Sequence, residues 1–424
     1  MIEVIVNRPS FEYDIHSLVK SFFPREDVQI HVQDTFTEDT ALRISVEFTD
    51  ETVSICLMEQ GEEKESGASV INYAERKETK NRLKRQLYQL LCAYTGQTLP
   101  WGTLTGIRPA KIAMGLIEQG MSNVETAEYM RNTYLASKEK VALSVMIANR
   151  ERYVLRNIDY KDGYSLYVGI PFCPSICLYC SFSSYPLERW RKQVDQYLDA
   201  LCKELDYVAD RFRDKKLNTV YIGGGTPTTL EPYQLDRLLT RIQSKFDTEH
   251  LQEFTVEAGR PDSITREKLQ VLLDHGIDRI SINPQTMNQK TLEIIGRRHT
   301  VDQVKEAFTL ARSMGFAHIN MDLIVGLPGE SYDDVEHTMK ELEAMAPDSV
   351  TVHSLAIKRA ARLSLFKDKY EEMGLENNMQ IMDMTARYCA EMGLSPYYLY
   401  RQKNMAGNFE NVGYAQPEKA GIYN

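Results

Sequence analysis

The chain has 424 residues, 43% of them hydrophobic and 26% charged, a composition that supports a sizeable buried core and excludes a disordered tail or a mini-protein. Its 50 Lys and Arg against 60 Asp and Glu leave a net charge of -10, which argues against a broad nucleic-acid surface, because phosphate neutralisation needs a basic face. No apolar run approaches the roughly 20 residues of a membrane-spanning helix, and the opening MIEVIVNRPSFEYD lacks the features of a secretory signal, so a cytoplasmic protein with reduced thiols is expected.

Residues 1 to about 60 alternate short β-type runs (IEVIV, VQIHV, ALRISVEF, VSICLM) with one helical stretch near 13 to 22, and the acidic turn GEEKESG closes them. This predicts a small α+β module. From about 73 to 158 the pattern is helical: NYAERKETKNRLKRQLYQLLCAY repeats apolar residues at spacings of three and four, LPWGTLTGIRPAK interrupts it, and two or three helices follow. The Asp-Gly of KDGY (161–164) supplies turn chemistry for a boundary after an extension of residues 1–160. Strands and helices then alternate, with strands predicted at 165–170, NTVYIG (218–223), EFTVEA (253–258), DRISIN (278–283), HINMDLIVG (318–326) and DSVTVHSLA (348–356). Amphipathic segments such as EPYQLDRLLTRIQSKF and TREKLQVLLDHG fill the gaps. A spacing of roughly 37 residues per unit suits right-handed βαβ crossovers. The fold class is therefore α/β, a partial parallel (β/α)6 barrel over 161–365, followed by a helical region over 366–424.

Of the seven cysteines, Cys56, Cys92, Cys202 and Cys389 fall in strand or helix patterns and read as core residues. Cys173, Cys177 and Cys180 lie together in YVGIPFCPSICLYCSF, directly after the first barrel strand, where such folds carry functional loops. Three thiolates on one short loop can hold three irons of a cubane [4Fe-4S] cluster and leave the fourth open to a small chelating molecule. A zinc site with a distant fourth ligand and chance clustering are the alternatives. Gly223, Gly224 and Gly225, then Thr226, end the second strand, and without Cβ atoms a ligand can approach the backbone there. Glu257, Gln285 and Asp322 sit at or just beyond three later strand ends, so they converge on one barrel mouth, although each alone also reads as a capped or solvated loop end.

The cysteine loop resembles the cluster motif of the radical S-adenosylmethionine superfamily. IPFCxxxCxYC followed by GGGTPT is similar to its oxygen-independent coproporphyrinogen III dehydrogenase group, and GIPFCPSICLYCSFSSYP, TVEAGRPDSI and QKNMAGNFENVGYA are most like the HemZ-type branch. The resemblance covers about 165 to 424, and residues 1–160 resemble that branch's N-terminal extension. It implies a [4Fe-4S] cluster on Cys173, Cys177 and Cys180. It also implies S-adenosyl-L-methionine met by Gly224, Gly225 and Thr226 at its methionine and ribose part, and by Glu257, Gln285, Arg297 and Asp322 at its amino acid and ribose hydroxyls. Ile324 and Ala356 would flank the adenine, and Tyr167 would pack near the sulfonium.

The implied activity is oxidative decarboxylation of coproporphyrinogen III to protoporphyrinogen IX by a 5'-deoxyadenosyl radical, in heme biosynthesis. Its partners are a porphyrinogen substrate and a reducing donor such as flavodoxin or ferredoxin. A substrate with four carboxylates directs attention to Arg297, Arg298, His299, Lys358, Arg359 and Arg362. His353, inside the sixth strand, reads first as a core histidine. Phe182 departs from the fourth cysteine of the best-known coproporphyrinogen enzymes and matches HemW-like heme chaperones, so a cluster-bearing heme carrier is the alternative. A zinc-stabilised binding module is the alternative from another class. The chain also stops at GIYN, where the family continues, so the resemblance implies that the region over 366–424 is incomplete.

Overall fold

Alternate residues of LRISVEF are buried, and that alternation sets the first of two units in the computed structural model, which describes all residues except 25, 33–39, 107, 359, 366–369, 371–372, 403–407 and 424. The first unit is Met1–Asn149 with a short stretch from Tyr400. Its strands are β1 (Ile2–Val6), β2 (Val28–Val32), β3 (Leu42–Phe48), β4 (Thr52–Glu59) and β5 (Glu62–Val70), in the order β2-β1-β3-β4-β5. The β1 strand runs parallel to β2 and β3, whereas β3, β4 and β5 form an antiparallel meander. Helix Glu12–Phe22 buries Ile15, Leu18, Val19 and Phe22, and helix Arg76–Thr95 buries Leu83, Leu87, Leu90 and Leu91 in the same core. Of the predicted turn GEEKESG only Gly61 lies in the turn between β4 and β5, and Glu62–Gly67 belongs to β5. Its exposed Glu and Lys side chains erase the hydrophobic alternation of a strand, and such charges are what protects a sheet edge from pairing with another chain. Helices Pro109–Glu118, Asn123–Tyr134 and Lys138–Val154 follow, the second started by a reciprocal Ser122–Glu125 capping box.

The second unit comprises Arg150–Leu399 and the C-terminal stretch. It carries β6 (Gly163–Ile170), a short parallel pair β7 (Phe172–Cys173) and β8 (Tyr185–Pro186), then β9 (Lys216–Gly224), β10 (Glu253–Glu257), β11 (Arg279–Ser281), β12 (His318–Val325) and β13 (Ser349–Ser354). The six long-range strands β6, β9, β10, β11, β12 and β13 pair in parallel and in chain order, forming the α/β half-barrel that the sequence predicts. Helices Val194–Arg211, Pro232–Lys245, Val301–Met314 and Tyr332–Met345 cover the sheet. Leu235, Leu238, Leu239 and Ile242 of the second are fully buried. Each such side chain contributes about 1.5–3 kcal/mol relative to exposure.

Polar caps start these helices where the strand-end loops leave off. Thr300 with Gln303 and Ser331 with Asp334 form capping boxes, and Gly315 ends Val301–Met314 at φ 104°.

Residues 366–424 are not simply helical. Helix Met379–Glu391 is followed by β14 (Ser395–Tyr400) and β15 (Asn411–Ala415), and β15 extends the sheet antiparallel to β13. Every residue of β15 is buried, so NVGYA shows no alternation for a period-two reading to detect. At Gly413 a Cβ would lie 3.1 Å from the Tyr397 ring, so glycine is what admits that close packing.

The helix-facing residues of the barrel strands are apolar, for example Val220, Ile222, Ile319, Met321 and Leu323. The opposite face is polar and internally bonded. Thr219 Oγ1 meets Ser165 Oγ at 2.7 Å, and Asn320 takes hydrogen bonds from Ser349 and Thr351. A concave face of this kind is built to receive a polar ligand rather than a helix. Among the described residues no helix is long and apolar enough to cross a membrane.

Candidate functional site

The loop after β6 is tied down at several points before its cysteines are considered. Tyr185 N donates to Pro171 O at 2.7 Å, Leu178 N to Ile295 O at 2.9 Å, and Leu363 N to Leu178 O at 2.9 Å. Ser175 Oγ donates to Gly296 O at 2.8 Å. These bonds fasten the loop to segments that follow β11 and β13. Cys173, Cys177 and Cys180 are all free thiols, the middle one buried and the outer two half-buried.

The glycine turn after β9 completes this corner. Gly225 N donates to Ile170 O at 2.7 Å and Thr226 N to Phe172 O at 2.8 Å, while Thr226 Oγ1 approaches Cys173 Sγ at 3.6 Å. A Cβ on Gly225 would stand 2.6 Å from Phe172 O and 3.0 Å from Cys173 Sγ, so only glycine fits between the two backbones. Gly224 has φ 106°, the left-handed region where a side chain is strained.

Burial pushes the Cys173 and Cys180 thiols above their ordinary value, and the neighbouring Cys177 adds to both shifts. Among the described residues no three His, Cys, Asp or Glu side chains converge as ligands of a single ion. A cubane places each thiolate on its own iron, farther apart than ligands that share one ion. Three free, electrostatically coupled thiols on one pinned loop fit that donor set.

A second cluster lies along the strand ends. The rings of Tyr167, Tyr221 and Tyr423 stack, with Tyr167–Tyr221 centroids at 6.0 Å and Tyr221–Tyr423 at 4.6 Å. Tyr221 Oη donates to Glu257 Oε1 at 2.6 Å. A Cβ on Gly223 would lie 2.8 Å from the Tyr221 ring and 3.1 Å from the Glu257 carboxyl carbon, so this glycine keeps the pair in place.

Burial pushes Glu257 up to about 7, opposed by the Tyr221 hydrogen bond, reinforced by the nearby Asp322 and opposed again by His353. Asp322 shifts the other way. Burial works against its charge, yet His353, at 3.8 Å, and the donors Asn320 and Thr351 hold it below the usual carboxylate range. Two carboxylates of unlike protonation thus share one concave face, an arrangement able to offer a proton donor and a fixed anion side by side.

Gln285 joins this group through the backbone. Its N–H donates to Asp322 O and its carbonyl accepts from Ile324 N, both at 2.9 Å. It adopts φ 68°, an unusual conformation for a non-glycine residue. Its side-chain Oε1 is buried without a partner, an acceptor that a bound ligand's donor could satisfy. Ile324 packs with Leu178, Ile295 and Leu355 in an apolar cluster, and Ala356 is half-buried two residues beyond β13.

Arg297 is 6% exposed. Its Nη1 donates to Asn283 O, and its guanidinium sits beside Tyr179 and Cys177, at the cysteine loop rather than at the carboxylate pair. The expectation that Arg297 and His299 present cations to substrate is corrected by their burial, since His299 is 0% exposed. Arg298 and Arg362 are exposed and Lys358 is half-buried. Arg359 lies outside the described residues.

The structure therefore brings Tyr167, Glu257, Asp322, Gln285 and Ile324 together, and joins Gly225 and Thr226 to Cys173. Sequence reasoning missed Tyr221 and left His353 in the core. Tyr221 lies two residues before Gly223, on the same strand face, a parity that NTVYIGG already carries.

Residues 167–342 match the family model of the Radical SAM superfamily. Over 352 residues the chain is 43% identical to the oxygen-independent coproporphyrinogen-III oxidase-like protein HemZ of Bacillus subtilis, covering 82% of this chain and 70% of that protein. It is 36% identical over 229 residues to the heme chaperone HemW of Lactococcus lactis, covering 53% of this chain and 59% of the chaperone. Among solved structures, coproporphyrinogen III oxidase (HemN) from Escherichia coli, a Radical SAM enzyme, superposes with a TM-score of 0.53 at 25% identity, over 64% of this chain and 60% of that one.

Proposed function

Since the chain belongs to the oxygen-independent coproporphyrinogen-III oxidase-like group of the radical S-adenosylmethionine superfamily, we propose that it converts two propionates of coproporphyrinogen III to vinyl groups by oxidative decarboxylation. The observation that carries this reading is the pinned three-cysteine loop beside a concave strand-end face on which Tyr221 holds Glu257 and His353 faces Asp322. The family's [4Fe-4S] cluster and S-adenosylmethionine, when bound, supply one-electron chemistry able to take a hydrogen atom from an unactivated carbon.

Cys173, Cys177 and Cys180 would hold three irons, with Gly224, Gly225 and Thr226 keeping the turn close to the first of them. Asp322, charged and braced by Asn320 and His353, would accept from ribose hydroxyls. Glu257 would offer a proton or a charge there according to pH, and the unpartnered Gln285 Oε1 would accept from the amino group. Arg297 would face the amino-acid carboxylate from the cysteine side, while Ile324 and Ala356 would give the adenine an apolar wall. The half-exposed face of Tyr167 would close the site near the sulfonium. Arg298 and Arg362 are exposed cations suited to substrate carboxylates. A low-potential donor such as flavodoxin or ferredoxin would supply the electron.

A second reading, a heme carrier that keeps the cluster, draws on Phe182. This residue is 74% exposed, an aromatic surface beside the loop that a flat macrocycle could cover. Anaerobic reconstitution followed by assay of 5'-deoxyadenosine, with and without coproporphyrinogen III, tests the first reading. Substrate-stimulated formation supports it, and tight heme binding with no substrate response supports the carrier.

A further inference from the structure

Arg260 follows Glu257 by three residues and is 3% exposed. Its guanidinium donates along one edge to both oxygens of Asp262, Nε to Oδ1 at 2.9 Å and Nη2 to Oδ2 at 2.7 Å. A guanidinium is planar and does not lose its proton, so this fork fixes where the remaining nitrogen points. That nitrogen, Nη1, reaches the cysteine loop: Ser175 Oγ at 3.0 Å, Ser175 O at 3.4 Å and Cys177 Sγ at 3.9 Å. Ser175 Oγ passes its own proton on to Gly296 O at 2.8 Å, so the chain Asp262, Arg260, Ser175, Gly296 is bonded end to end. Cys177 is the most buried of the three loop thiols, at 8%, and Arg297 lies on it as a second buried cation. Two guanidiniums around one sulfur exceed what pinning a loop requires, since the backbone bonds at Leu178 already do that.

We propose that Arg260, locked by Asp262, is a positioning residue that orients Cys177 and withdraws negative charge from its sulfur, raising the reduction potential of a cluster held there. This rests on the reading of Cys177 as an iron ligand. A cation close to the ligand sulfur favours the state that has gained an electron, and the paired Asp262 carboxylate tempers that pull.

The test is redox titration of the anaerobically reconstituted 424-residue protein, followed by electron paramagnetic resonance, for the parent, Arg260→Gln, Arg260→Lys and Asp262→Asn. Arg260→Gln should shift the reduction equilibrium about tenfold against the reduced cluster, or about 59 mV more negative for one electron. Arg260→Lys, which keeps the charge, should shift less. Asp262→Asn should shift in the positive direction, a reversal of sign that a merely structural ion pair would not give. Iron content reports separately on the underlying reading: a parent protein that takes up no cluster overturns the assignment of Cys177 itself. A parent that takes up cluster, with potentials unchanged in both Arg260→Gln and Asp262→Asn or shifted in the same direction, overturns the role of Arg260. Should Arg260→Gln fail to fold, the sign of the Asp262→Asn shift decides alone.

Discussion

Replacing Glu257 with Gln should change how the stability of the cofactor-free protein depends on pH, and the direction follows from the site. Burial pushes the native carboxyl from its ordinary 4.5 to about 7, so the native state holds this proton more tightly than the unfolded chain does. A raised carboxyl contributes stability in full below the unfolded value, and that contribution is lost as pH rises through the native one. The window is therefore pH 4.5 to 7. At about 1.4 kcal/mol per pH unit the full difference is about 3.5 kcal/mol, and because Glu257 keeps partial contact with solvent, about 2–3 kcal/mol is the expected span. Gln cannot ionise, yet its carbonyl oxygen can still accept from Tyr221 Oη, which donates to Glu257 at 2.6 Å in the parent. Urea unfolding from pH 5 to 8 should then show the parent losing stability relative to Glu257→Gln through this window, with the variant the more stable protein at pH 8. Parallel profiles for the two proteins would refute the claim that Glu257 is buried against its charge.

Gly225→Ala should lose most of its reconstituted iron, because the added Cβ would stand 2.6 Å from Phe172 O and 3.0 Å from Cys173 Sγ; iron and sulfide analysis of the purified variant checks it. Asp322→Asn should weaken S-adenosylmethionine binding about tenfold or more, the size of a lost charge-assisted hydrogen bond, with cluster content unchanged, as read by equilibrium dialysis. Cys177→Ser should abolish the iron-sulfur absorption, whereas Cys202→Ser and Cys389→Ser, in helices away from the loop, should retain it. Leu239→Ala should cost about 2–5 kcal/mol in unfolding free energy, because Leu239 is fully buried under the sheet.

The barrel was legible in the sequence because its helix-facing residues are uninterrupted in register. Val220 and Ile222 on β9 and Ile319, Met321 and Leu323 on β12 are all buried, and polar residues between them made the strand ends visible. Glu257 and Asp322 stood out for the same reason. Strands without that contrast were lost: β5 is charged at an edge, and β15 is buried on both faces. Arg260 was invisible as a site residue because its partners Asp262 and Ser175 stand two and 85 positions away, and only the fold brings the second within reach. Arg297 and His299 read in the sequence as cations for substrate carboxylates, alongside Arg298. The turn that carries them folds inward, and Arg297 finds its partner on the carbonyl of Asn283.

The most direct measurement of the central claim uses coproporphyrinogen III deuterated at the propionate β-carbons, incubated anaerobically with the reconstituted protein, a reductant and S-adenosylmethionine. The account predicts deuterium in the 5'-deoxyadenosine formed and a porphyrinogen lighter by two units of carbon dioxide, each lost with two hydrogens. Unlabelled 5'-deoxyadenosine and recovered substrate, from protein that holds a full cluster and binds heme, would contradict it.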